Sequence, residues 1–171
     1  MPKLNYFDTL ESLAVSASRA VFLACGRSAA VGRSELCKLC GDACERVCEL
    51  ERALFSDFMP PLDRGGIARC AHSLLRLTVL CQATLEDRCA NRSPPSLSPT
   101  ECNDTVELAR LLETTVSRLR RIKRPGEMPE LDRFRRLLCR CTEPSDRRLR
   151  KLRRELSLCF DTVVGIMLDN I

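Results

Sequence analysis

Residues 37–59 read CKLCGDACERVCELERALFSDFM and run into Pro60-Pro61-Leu62-Asp63-Arg64. The apolar residues recur at helical spacing until the two prolines. Proline cannot donate the next helical hydrogen bond and disfavours helix in the residue before it, so the helix must stop there. Asp63 is then placed to cap a second helix. A long amphipathic helix, a Pro-Pro break and a capped helix together predict a helical hairpin. Cys37, Cys40, Cys44 and Cys48 are spaced by three, four and four residues, which sets four sulfurs on one stripe. Whether that stripe packs or holds a metal is the functional question the segment raises.

The same periodicity extends in both directions. A first helix is predicted from about Phe7 to Ala24, burying Leu10, Leu13, Ala14, Ala17, Val21 and Ala24, with Cys25-Gly26 as its stop. The cysteine helix starts near Ser34 and continues its face through Glu51, Leu54 or Phe55, and Phe58. The third helix presents Ile67, Cys70, Leu74, Leu77, Cys81 and Leu85. Asn91 to Pro99, NRSPPSLSP, is a loop. Ser98-Pro99-Thr100-Glu101 opens the fourth helix, with Ser98 as cap, Pro99 at the first position and Glu101 reaching back to the cap. That helix buries Val106, Ala109, Leu112, Val116, Leu119 and Ile122 before Pro125-Gly126. A short fifth helix spans Pro129 to Cys141, and Ser145 caps a sixth whose seam is Leu149, Leu152, Leu156, Cys159, Val163 and Ile166. The expectation is an all-α, antiparallel bundle of about six helices forming a single domain over 1–171, with breaks near 60–62, 91–99, 124–129 and 143–145.

Composition agrees with that architecture. Of 171 residues, 44% are hydrophobic, 30% are charged and only 4% aromatic, which excludes a disordered chain and suits a bundle better than a sandwich. The N-terminus has no basic flank followed by an apolar run, and no stretch of about 18 apolar residues occurs, so a cytoplasmic chain is expected. Twelve cysteines, most of them in apolar helical stripes, do not resemble a secreted disulfide framework. In a reducing compartment they behave as small hydrophobes, so core packing is the reading favoured for the 37–48 stripe.

Three segments together resemble the PhoU-related family, in its short members associated with a phosphate permease. They are Leu39 to Phe58; Phe58-Met59-Pro60-Pro61-Leu62-Asp63-Arg64 followed by Ile67 and Ala71; and the closing helix from Val163 to Asn170. The second resembles the family's Phe-x-Thr-Pro-x-Asp-Arg helix junction and is the most specific. The resemblance implies a bundle that acts as an accessory or regulator of inorganic phosphate uptake. It would act without catalysis, by contact with a membrane phosphate transporter, peripherally at the inner face of the membrane and as a homo-oligomer. The family's paired carboxylates, one turn apart and suited to hard cations, do not carry over. Cys40-Gly41-Asp42-Ala43-Cys44 occupies the first acidic motif, Gly65-Gly66 the junction pair, Leu75, Arg76 and Val79 the next positions, and Arg150 to Arg154 the last. The hard-metal cluster of the family is therefore not expected.

Three constellations remain. Thiolates at Cys37, Cys40, Cys44 and Cys48 suit zinc or copper(I), with Cys70, Cys81 or Cys159 supplying ligands from facing helices, as in a cysteine-lined metal store or sensor. Residues 118–154 hold fifteen Lys and Arg against five Asp and Glu, a net +10. Arg147, Arg148, Arg150, Lys151, Arg153 and Arg154 are the candidate partner-binding or anion-binding residues. A basic adaptor for nucleic acid is the weaker alternative, because few aromatics interleave with these cations for stacking. Catalysis has no constellation. His72 is the only histidine, and no nucleophile–base pair or glycine-rich phosphate loop accompanies it. Gly65-Gly66 offers either helix-start amides for an anion or a flexible junction.

Overall fold

A computed structural model describes residues 4–26, 29–56, 60, 63–90, 97–121, 128–141 and 143–169, with 29–31 described in backbone only. Among these the chain is all-α. The helices are α1 (Tyr6–Cys25), α2 (Ala29–Ser56), α3 (Arg64–Ala90), α4 (Pro99–Ser117), α5 (Pro129–Arg140) and α6 (Arg147–Asp169), with a 3₁₀ turn at Leu119–Arg121. The predicted Phe58, Ile122 and most of the 91–99 and 124–129 breaks lie outside the described residues.

Four of the helix starts, those of α1, α3, α4 and α6, carry a side-chain cap. Asn5 Oδ1 accepts from the Phe7 and Asp8 amides at 3.2 and 3.4 Å, and Asp63 Oδ2 accepts from Gly66 N at 2.7 Å. Ser98 caps α4 by accepting from Glu101 N at 3.5 Å. The reciprocal half of that predicted box is not made: Glu101 Oε1 accepts from Ser145 N at 3.0 Å and lies 3.3 Å from Ser145 Oγ. The carboxylate thus ties the start of α4 to the approach of α6, a non-local partner outcompeting the local cap. Ser145 does not cap α6 either. Asp146 does, through Oδ1 to Arg148 N at 2.7 Å and Leu149 N at 3.2 Å. A carboxylate at that position also meets the positive helix end, which a hydroxyl does less well. Helix α2 begins five residues before Ser34 and runs through Gly32.

Helix α3 lies at the centre, packed on α1, α2 and α6, while α4 packs on α1, α5 and α6. The predicted faces of α1, α3 and α6 are all buried, and their residues join one apolar core. Phe134 of α5 and Phe160 of α6 stack with ring centroids 3.8 Å apart. Buried threonines in α3 and α4 return their hydroxyls to their own helix, as in Thr78 Oγ1 to Leu74 O at 3.0 Å and Thr115 Oγ1 to Leu111 O at 2.7 Å. Gly66 is helical and close-packed: a Cβ there would stand 3.1 Å from Ile166 Cγ1. With its amide held by Asp63, it serves the α3–α6 approach, and that amide is already engaged within the chain.

Helix α2 corrects the sequence reading most sharply. Its buried face is Leu36, Ala43, Val47, Leu50 and Leu54, whereas Cys37, Cys44 and Cys48 are exposed, Cys40 is half-buried and Phe55 is 89% exposed. Three of these cysteines follow a core residue by one position, and one residue is about 100° around a helix. The aliphatic stripe drives more apolar area out of water, so it takes the core and turns the thiols outward.

Candidate functional site: an exposed basic stripe and two sets of thiols

The thiol stripe of α2 is a surface feature. Cys40 Sγ donates to Thr78 O at 3.6 Å, and burial, with Cys37 and Glu86 nearby, pushes its thiol up to about 11. Residues seven apart on a helix are separated by about 10 Å along the axis, so Cys37 and Cys44 cannot share one ion. The facing-helix sulfurs do not complete a site. Cys70, Cys81 and Cys159 are buried in the core, with Cys159 Sγ donating to Ser73 O at 3.2 Å. Among the described residues no group of three or more His, Cys, Asp or Glu is gathered to hold a metal ion. His72 is exposed, and its Nε2 meets Glu51 Oε1 at 2.8 Å, linking α3 to α2.

The basic segment divides into structural and free cations. Arg118 pairs with Glu130 at 2.7 Å, Arg133 with Glu107 at 2.7 Å, and Arg120 with Asp8. Arg153, one of the predicted partner-binding residues, is only 6% exposed. Its Nε donates to Thr105 Oγ1 at 3.0 Å and a terminal nitrogen to Glu101 O at 2.9 Å, with Asp104 Oδ2 at 3.7 Å. It is a buried tie between α6 and α4, and it leaves the docking set. Arg148 is largely covered as well, near Asp87.

Arg147, Arg150, Lys151 and Arg154 remain exposed. Their spacing of three, one and three residues keeps them on one stripe along the first two turns of α6. Arg150 reaches Glu143 at 3.3 Å; Arg147, Lys151 and Arg154 have no ion pair among the described residues. Beside this stripe, a groove of about 350 Å³ between α5 and α6 is lined by Leu138, Cys141, Arg150, Arg154 and Ser157. Exposed Arg135, Arg136 and Arg140 on α5 extend the positive surface.

One arrangement escaped the sequence reading. The C-terminus of α1, the last turn of α3 and the first turn of α4 meet at a cavity of about 690 Å³ whose lining includes Cys25, Arg88 and Cys102. The Arg88 guanidinium donates to Ala24 O at 2.5 Å and Gly26 O at 3.0 Å, satisfying carbonyls that the end of α1 leaves open. The two thiols share this lining: the neighbouring Cys25 pulls Cys102 below the usual thiol value, and Cys102 together with burial pushes Cys25 above it. Cysteines 77 positions apart carry no short-range signal of that pairing. Only the meeting of three helix ends creates it.

No protein-family model, curated protein or solved structure matches the chain.

Proposed function

We propose that this protein is a non-catalytic docking subunit that meets an acidic surface of a partner through the exposed cations of α6 and the neighbouring arginines of α5. The resemblance of the Pro60–Arg64 junction to the PhoU-related family supplies the partner class, a membrane phosphate transporter, and the role, an accessory or regulator of phosphate uptake. Among the described residues no helix is long and apolar enough to cross a membrane, so contact with the transporter would be peripheral.

The observation that carries the reading is where the cations stand. Arg147 and Arg150 stand in the first turn of α6, where positive charge opposes the helix dipole, and Lys151 and Arg154 continue the same exposed stripe into the next turn. Folding is better served by neutral or acidic residues there. An exposed stripe that works against its own helix suits a partner, and long-range attraction would speed the encounter.

The test is binding of the full chain to the purified transporter in lipid nanodiscs across a salt series. Wild type is expected to bind with affinity that falls steeply as salt rises. The combined variant R147E/R150E/K151E/R154E, with unchanged circular dichroism, is expected to lose at least tenfold. Undiminished binding by that variant would remove the α6 stripe from the interface, and no binding by wild type would remove the transporter.

A further inference from the structure

Cys25 and Cys102 line one cavity from opposite helix poles. Cys25 is the last residue of α1, and Cys102 sits in the first turn of α4, its amide donating to Ser98 O at 2.9 Å. A thiolate is favoured at the positive N-terminal pole and disfavoured at the negative C-terminal one. Arg88 adds a cation to the same lining. It is held in place by the two carbonyl bonds at the end of α1, while its buried Nε has no hydrogen-bond partner among the described residues. The pair is thus polarised: one sulfur is set to be the nucleophile and the other to remain a thiol.

We infer that Cys25 and Cys102 form a hydroperoxide-sensitive dithiol, with Cys102 the reacting sulfur and Cys25 the resolving one. The Cys102 thiolate attacks one oxygen of hydrogen peroxide. An S–O bond forms and the O–O bond breaks. The sulfur loses two electrons to the peroxide, and the departing hydroxide takes up a proton to become water. The Cys25 thiol, deprotonating as it reacts, then attacks the sulfenic sulfur. The S–S bond forms, the S–O bond breaks, and the sulfenic oxygen leaves as a second water. The resulting disulfide joins α1 to α4 and links positions 77 apart in the chain.

The electrostatics run the same way. The neighbouring Cys25 and the Arg88 charge favour the Cys102 thiolate over the opposition of burial, Glu101 and Asp146. Cys70, by contrast, is shifted up to about 12 by burial alone. This inference is independent of the docking role, since it uses none of the α6 cations.

The test is a redox map of the wild-type chain. Reduced protein is given a small molar excess of hydrogen peroxide, quenched with an alkylating agent, digested without reductant and mapped by mass spectrometry. The expected first product is a Cys25–Cys102 linked peptide, with Cys37, Cys44 and Cys48 still alkylated, and the oxidised protein melts at a higher temperature. The variant Cys25→Ser is expected to accumulate a dimedone-reactive sulfenic acid at Cys102. Oxidation of the exposed α2 thiols while Cys25 and Cys102 stay reduced would overturn the proposal. So would linkage of Cys25 to the neighbouring Cys81. Because the wild-type map decides by itself, a folding defect in the variant does not weaken the test.

Discussion

At the scale of single residues, neighbouring arginines on α6 do opposite work. Arg153 is buried against Thr105 and the Glu101 carbonyl, whereas Arg154 is exposed. Arg153→Ala is expected to cost about 2–3 kcal/mol, because it removes charge-assisted hydrogen bonds and leaves a void in a packed site. Arg154→Ala should change stability by less than about 0.5 kcal/mol, as most surface substitutions do. Urea unfolding midpoints distinguish the two, and equal losses would contradict the burial described. Arg147 adds a sharper contrast. It is the first residue after the Asp146 cap, so Arg147→Glu should stabilise the protein by about 0.3–1 kcal/mol through the helix dipole. If that variant is both more stable and a weaker binder, the charge serves recognition at the expense of the fold.

At the scale of elements, α2 shows how two stripes one residue out of phase compete for the core. Leu36, Ala43, Val47 and Leu50 win it, and the thiols are left to water. In the native protein Cys37, Cys44 and Cys48 should therefore react with a thiol reagent at rates near those of free cysteine. Cys70, Cys81 and Cys159 should react only after denaturant is added. Mass mapping of singly labelled species checks this, and rapid native labelling of Cys70 or Cys159 would contradict the assigned faces. The helix starts teach the same lesson about local signals. Asp63, Ser98 and the prolines marked their helix starts in advance because a cap acts within three residues. Ser145 and Asp146 are adjacent capping residues, and spacing alone did not choose between them. Glu101 left its local box because a partner 44 positions away was presented to it by the fold.

At the scale of the whole molecule, three thiols folded into the core set an alkaline limit on stability. Burial holds Cys70 up at about 12, and burial together with neighbouring groups holds Cys81 and Cys159 above the usual thiol value. In the unfolded chain these groups titrate near 8.5, so above that pH the native state binds more protons than the unfolded one. Stability is then fully present below about pH 8.5 and falls as pH rises towards the folded values. Each thiol contributes a slope of about 1.4 kcal/mol per pH unit, hence about 4 kcal/mol per unit for the three. Urea midpoints measured under reductant from pH 8 to 10.5 should decline steeply, and a flat profile would refute the burial. The helical class, the faces of α1, α3 and α6, and most helix boundaries were legible in the sequence, because periodicity and capping are written in neighbouring residues. The basic character of the last third of the chain was legible too. Which cations stay in water was not, since Arg153 differs from Arg154 only in what α4 places against it. The tertiary structure alone turned the α2 thiols outward, because core membership is a competition between stripes for apolar burial. It alone brought Cys25, Arg88 and Cys102 together, because helix ends distant in the chain meet only when the bundle packs.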